Sequence, residues 1–287
     1  MTAALSRHLL TAPHGSPGSA RARYAAAMAL YAEGALSPAA LEAYREASAF
    51  DSLDPAQVLA DRGLAPPPAQ PLPPAALLHG LLAEADRLLA ATQGAGLAET
   101  RAGLAPAFRQ SPRPMPAPAN AVLAAHLPAA LAALAATDPA LAQAIAAAAP
   151  HLPWITYDAY DPARIGPFFP YAHAFASLVG EAALFAAEGY DFGLFLVAPR
   201  VLYRDHAHPA AELYLPLTGP HRWRFAPGAP FHEKPAFAPV WNPPHRPHAT
   251  LTGDLPFLAL FAWTSDVAAP AYVLDAPDWA LFEPAAG

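Results

Sequence analysis

Apolar residues recur at helical spacing through the first half of the chain and in short strand-like runs through the second. Leu77, Leu78, Leu81, Leu82, Ala85, Leu88 and Leu89 repeat at three- and four-residue intervals, which predicts an amphipathic helix. Residues 20–33 form an Ala-rich helical run that stops at Gly34. Ser37-Pro38 and Asp54-Pro55 each place a capping side chain before a proline at the first helical position. They open helices running to about Phe50 and to Gly63. Asn120 to about Ala136 and Asp138 to about Ala149 give two more. Residues 64–74 and 105–119 are Pro-rich and predict irregular connectors, and residues 1–17 have no period and read as a loose arm.

The pattern changes near Pro150. Alanine thins out, aromatics concentrate, and apolar runs of strand length alternate with Gly/Pro turns. Phe192–Ala198 and Leu255–Trp263 are apolar almost throughout and predict buried strands. Tyr203–His208, Glu212–Leu217, Arg222–Phe225 and Phe237–Trp241 predict shorter ones. Many short strands at this spacing indicate a sandwich or barrel. The expected fold class is therefore α+β, with a helical N-terminal region (1–155) ahead of a β domain (156–287). The segment 167–190 is expected to pack one half onto the other.

Composition narrows the function. A net charge of −7 and scattered arginines provide no basic stripe, which argues against nucleic acid as a partner. There is no N-terminal apolar leader region. His126, Pro128, Asp138 and Pro139 break the Ala/Leu-rich stretch before it reaches membrane-spanning length, so a soluble, cytoplasmic protein with no membrane partner is expected. With no cysteine, a metal would have to use His, carboxylate or Tyr. The 37 prolines and abundant alanines read as codon composition rather than function.

Residues 206–214, His-Ala-His-Pro-Ala-Ala-Glu-Leu-Tyr, concentrate the chemistry. His206, His208, Glu212 and Tyr214 are all even-numbered, so a strand would turn two imidazoles, a carboxylate and a phenol to one face, although Pro209 must bend it. Burying these groups without a partner is costly, and a divalent metal would supply one.

The pattern H-x-H-x3-E-x6-G, ending at Gly219, resembles the first motif of the cupins, jelly-roll β-barrels that hold a metal inside. Pro243-Pro244-His245-Arg246-Pro247-His248 resembles the second. Three departures stand out: Arg200 and His245 occupy places usual for glycine, and Thr252 one usual for asparagine. The resemblance implies His206, His208, Glu212 and His248 as metal ligands, with His245 as the alternative third histidine. The ion would be one divalent transition metal, and Fe(II), Mn, Co, Ni and Zn all suit the ligands.

Within the cupins, residues 150–270 resemble the cupin-type dimethylsulfoniopropionate (DMSP) lyases, through Tyr203, Tyr214, Trp263, Ala-Glu-Leu-Tyr-Leu and Leu-Ala-Leu-Phe-Ala-Trp. That likeness implies a carbon–sulfur lyase acting on a small zwitterion, with Tyr214 and Tyr203 catalytic and Trp263 and Tyr203 binding substrate. A cupin dioxygenase or isomerase on another small acid, or a non-catalytic binding cupin, would use the same ligands. The helical half either covers the pocket or forms a homodimer interface, and the sequence leaves both open.

Overall fold

The computed structural model describes residues 6–7, 10, 14–15, 19–67, 72–157 and 160–283. Most of the expected loose arm and the middle of the 64–74 connector lie outside these residues. Close packing divides the chain into two compact units, Met1–Ala76 and Leu77–Gly287.

In the first unit the proline-led helices form where their caps predict them. Ser37 Oγ accepts from the Ala40 N–H at 3.2 Å to open Pro38–Ala47, and Asp54 Oδ1 accepts from the Ala56 N–H at 2.8 Å to open Pro55–Asp61. Gly34 and Gly63 follow Ser19–Ala32 and Pro55–Asp61 with φ of 72° and 67°, the left-handed geometry that ends helices. Ala26, Ala27, Leu30, Ala43, Tyr44 and Leu59 make this unit's own small core.

The second unit contains the expected helices Ala121–Ala135 and Pro139–Ala148, together with Pro74–Ala91 from Leu77 onward. It also contains Leu97–Leu104 and a 3-10 turn, Ala105–Arg109, which have too few apolar repeats to stand out in the sequence. Eleven strands follow among the described residues: β1 His173–Gly180, β2 Phe185–Ala186, β3 Asp191–Val197, β4 Leu202–Ala207, β5 Glu212–Pro216, β6 His221–Arg224, β7 His232–Lys234, β8 Val240–Asn242, β9 His248–Leu251, β10 Phe257–Trp263 and β11 Tyr272–Val273. They form a six-stranded sheet in the order β2-β1-β3-β10-β5-β8 and a five-stranded sheet in the order β11-β4-β9-β6-β7. Every pairing is antiparallel except the short β1–β2 contact.

The six-stranded sheet is covered on both faces, which explains its nearly continuous apolar strands. Phe192, Leu194 and Leu196 of β3, Leu213 and Leu215 of β5, and Leu258 and Leu260 of β10 join Leu81, Leu82, Leu134 and Ile145 of the helices in one core. The alternate residues, Phe195 and Val197, Tyr214, and Phe257 and Phe261, turn inward and share the second core with Tyr203 and Trp223 of the other sheet. Residues 167–190 supply the short helix Phe169–Ala172 and then β1 and β2, and Ala174, Ala176 and Leu178 face the helices. The strand expected at Phe237–Trp241 begins only at Val240, because Phe237 sits in a left-handed turn with φ of 63°.

The five-stranded sheet is closed on its outer side by the C-terminal segment. Arg224 and Asp205 form an ion pair with both side chains fully buried, and Arg224 Nη1 also donates to Asp278 Oδ2 at 2.7 Å. Trp279 Nε1 donates to Asp205 Oδ2 at 2.8 Å. Arg204 pairs with Glu283 at 2.7 Å, its guanidinium lying 4.3 Å from the Trp279 ring centre. No helix among the described residues is long and apolar enough to cross a membrane.

Removing one partner of a buried ion pair leaves the other charge uncompensated. Asp205→Ala is therefore expected to lower unfolding stability by about 3–5 kcal/mol, read from urea denaturation. A loss below about 1 kcal/mol, the range of exposed pairs, would show that the clamp carries no such weight.

Candidate metal centre

The stretch 206–214 does not run along one face of one strand. β4 belongs to the five-stranded sheet and β5 to the six-stranded sheet, and Pro209-Ala210-Ala211 carries the chain between them. His206 thus faces Glu212 and Tyr214 from the opposite layer, and His208 lies just beyond the end of β4. Between β4 and β9 the register runs Tyr203↔Thr250 and then His206↔His248, so one extra residue bulges from β4. The bulge resets the alternation and lets odd-numbered Tyr203 and even-numbered His206 face the same interior.

His206, His208 and His248 are all buried, and one nitrogen from each lies within 4.8 Å of those of the other two. Their Nδ1 atoms are engaged by backbone: His206 with Arg204 O at 2.7 Å, His208 with Ala210 O at 2.9 Å, and His248 with Arg246 O at 2.9 Å. A carbonyl can only accept, so each Nδ1 carries hydrogen and each Nε2 turns a lone pair inward. This is the tautomer a metal requires. Glu212 Oε2 stands 3.2 Å from both His208 Nε2 and His248 Nε2. His248 Nε2 is buried without an aligned hydrogen-bond partner.

Three inward lone pairs beside a carboxylate need a positive charge among them. Burial alone would lower the His208 pKa, but the charge and hydrogen bond of Glu212, with the hydrogen bond to Ala210 O, together outweigh it and the imidazole is pushed up. Burial would likewise raise the Glu212 carboxyl, yet the neighbouring imidazoles hold it well below its usual range. His206 is held well below an ordinary histidine, first by burial and then by His248 and His208. A divalent cation fits this donor set better than a shared proton, which can satisfy only one nitrogen at a time. His245 is not part of the cluster: it lies near the surface with its Nδ1 3.2 Å from the Tyr272 hydroxyl.

Glu212 is fixed from the other side by Trp263 Nε1, which donates to Oε1 at 2.8 Å, and by Asn242 Nδ2, which donates to Oε2 at 3.1 Å. Both neighbours follow from register, because Trp263 and Asn242 sit opposite Glu212 on β10 and β8. Trp263 also lies against His208, with ring centres 4.5 Å apart.

A cavity of about 180 Å³ opens beside the cluster, lined by Glu212, Tyr214, Tyr203, Trp263, Phe261 and nine further aromatic, polar or small residues. Tyr214 is buried, and its phenol is pushed well above the ordinary tyrosine value, first by burial and then by Glu212. Tyr203 is the third ring in a ladder. His173 stacks on Phe169 at 4.0 Å, Phe169 on Tyr203 at 3.9 Å, and Tyr203 on His206 at 4.0 Å. Both faces of Tyr203 are thereby covered, leaving its edge and hydroxyl to the cavity. The hydroxyl pairs with that of Tyr160.

Tyr160, Tyr157, Phe169, Phe175 and Asp191 also line the cavity, and none was singled out from the sequence. The density of aromatics between Trp154 and Phe175 was the available signal. Three other histidines of the β domain stand apart from the cluster. His173 accepts from the Tyr157 N–H at 3.0 Å, His221 accepts from the Gly253 N–H at 3.1 Å, and His232 is exposed. Arg204 and Arg246 turn away, Arg204 to Glu283 and Arg246 to Trp241 O and the Phe225 ring.

The three motif departures have physical counterparts. Arg200 and His245, standing where glycine is usual, take φ of 59° and 62°, the left-handed region that costs a side chain about 1–2 kcal/mol. Thr252, in the place of asparagine, accepts from the Val201 N–H and donates to Ala198 O, both at 2.8 Å, bracing the turn before β4.

Comparison with known proteins agrees with this architecture. Dimethylsulfoniopropionate lyase DddQ of Ruegeria pomeroyi (strain ATCC 700808 / DSM 15171 / DSS-3) is 32% identical over 108 residues, 38% of this chain. The matched stretch spans about half of that relative, 53% of its length. A chain from the crystal structures of the DMSP lyases RdDddP and RnDddQII shares the fold, with a TM-score of 0.52 and 23% identity over 71% of this chain and 100% of that one. The crystal structure of DMSP lyase DddQ from Ruegeria pomeroyi DSS-3 aligns with a TM-score of 0.49 and 27% identity, over 71% and 97% of the two chains. The family model described as dimethylsulfoniopropionate lyase matches residues 104–259, more than half of the 287 residues, and the chain belongs to the DMSP lyase family.

Proposed function

We propose that the protein is a metal-dependent DMSP lyase, releasing dimethyl sulfide and acrylate by β-elimination. The observation that carries this reading is the convergence of three metal-competent imidazole nitrogens and Glu212 beside an aromatic cavity that also holds a buried tyrosine. His206, His208, His248 and Glu212 would hold one divalent metal. When bound, such an ion supplies Lewis acidity for a carboxylate and lowers the pKa of a nearby phenol.

The chain's own residues account for the remaining steps. Tyr214 Oη is the base: it takes the proton from the carbon next to the substrate carboxylate. The electron pair left behind forms the carbon–carbon double bond, and the carbon–sulfur bond breaks with its electrons leaving on sulfur. One zwitterion thus becomes neutral dimethyl sulfide and the acrylate anion, with the proton on Tyr214. In the ion-free protein burial and Glu212 keep this phenol protonated, so its basicity depends on occupation of the adjoining ligand set. Trp263 holds Glu212 through its N–H and offers ring surface to the sulfonium, an attraction of about 1 kcal/mol. Tyr203 supports His206 by stacking and presents its hydroxyl, paired with Tyr160, to the cavity.

Purified protein given DMSP and one metal at a time, Fe(II), Mn, Co, Ni or Zn, is expected to release dimethyl sulfide into the headspace, and a chelator to stop it. Silence with every metal, in folded and metal-loaded protein, contradicts the assignment. Tyr214→Phe is expected to keep its metal and lose about 100-fold or more in kcat, the scale of a lost general base; full turnover would refute the base. His208→Ala is expected to lose both metal and activity, and unchanged metal content by elemental analysis would refute the ligand set.

A further inference from the structure

Asp191 is a carboxylate in the same cavity that no step above uses. It begins β3, where the register pairs it with Trp263 of β10, which in turn pairs with Glu212 of β5. Residues opposite one another in a sheet point to the same side. Asp191, Trp263 and Glu212 therefore form one inward row, and all three line the cavity. With neighbouring strands about 4.8 Å apart, the backbones of Asp191 and Glu212 are about 10 Å apart, with Trp263 between them.

The surroundings of Asp191 leave its charge uncompensated. The Ser177 hydroxyl and the Phe192 N–H engage the carboxylate, and among the described residues no cationic side chain pairs with it. Oδ1 is buried with no hydrogen-bond partner. Burial raises the carboxyl from its ordinary value to about 6, still ionised at neutral pH. Around it the cavity wall is aromatic, including Tyr157, Phe175 and Phe261. A half-buried anion whose Oδ1 is shut off from solvent without a partner, set among apolar walls, is costly unless something positive reaches it.

We infer that Asp191 is the specificity residue for the cationic end of the substrate, recognising an onium group held against Trp263 while the carboxylate end lies at the histidine cluster. This rests on the lyase reading for the identity of the zwitterion, but onium recognition can be measured without turnover. A second cavity, of about 260 Å³, shares Asp191 and Val267 with the first.

The test uses two molecules of matched shape that lack a sulfonium leaving group, 3-(trimethylammonio)propionate and its carbon isostere 4,4-dimethylpentanoate, which keeps the carboxylate and lacks the cationic charge. Their binding to metal-loaded protein is measured by calorimetry. Wild-type protein is expected to prefer the onium compound by about tenfold or more, the scale of one charged contact. Asp191→Asn, nearly isosteric, is expected to lose most of that preference, keeping only what the Trp263 ring supplies, and Asp191→Glu, which keeps the charge, to retain it. A purely structural aspartate would weaken both ligands equally. An undiminished preference in Asp191→Asn, or failure of either compound to bind wild-type protein, overturns the inference. Dimethyl sulfide release with an undiminished preference would sink this inference alone. Lost preference in the variant without any dimethyl sulfide from wild type would sink the lyase reading alone.

Discussion

Three buried imidazole lone pairs directed at one point beside a buried carboxylate are the constraint on which the rest of the β domain turns. Such a cluster is costly in an apolar interior unless a cation completes it. Holding it requires strands from both sheets: β4 and the turn after it supply His206 and His208, β9 supplies His248, and β5 supplies Glu212. Each imidazole is oriented by its own chain, because a carbonyl two residues away takes the Nδ1 hydrogen. The orientation of each imidazole is thus built into local backbone, while the distance between the imidazoles is set by how the two sheets close.

That closure is fixed from outside the site. Helices cover the outer face of the six-stranded sheet, and the C-terminal segment is held to the five-stranded sheet through Asp205, Arg224 and Arg204. Inside, the ladder His173–Phe169–Tyr203–His206 links the segment ahead of β1 to the first metal-competent histidine. A ring deep in the aromatic core thereby helps to hold a candidate ligand. Movement at Phe169 would be felt at His206 through contacts of about 4 Å, the range over which close packing transmits displacement.

Much of this was readable in advance because it depends on residue type and short spacing. The proline-led helices, the apolar strands β3 and β10 and the histidine motif are local patterns. Residues 206–214 bring their side chains together by changing sheets rather than by parity along one strand, which the sequence does not display. The bulge that turns Tyr203 inward leaves no local mark, because it exists only relative to β9. β9 itself, four residues directly after a Pro-rich approach, was too short to register as a strand. Tyr160 and Asp191 enter the cavity through tertiary contacts and cross-strand register, which one sequence does not display. Asp191 in particular reads locally as a turn residue before an apolar run. Arg200 and His245 show the reverse case: their departure from glycine is plain in the sequence, but only the backbone reveals the left-handed conformation they adopt.

The account stands or falls on whether these four side chains hold one ion together. X-ray absorption at the metal edge of protein loaded with one equivalent of Zn or Co tests this directly. A first shell of three imidazole nitrogens at about 2.0–2.1 Å, with oxygen from a carboxylate, is the predicted result. A shell dominated by water, or one with fewer than three imidazoles, would contradict it.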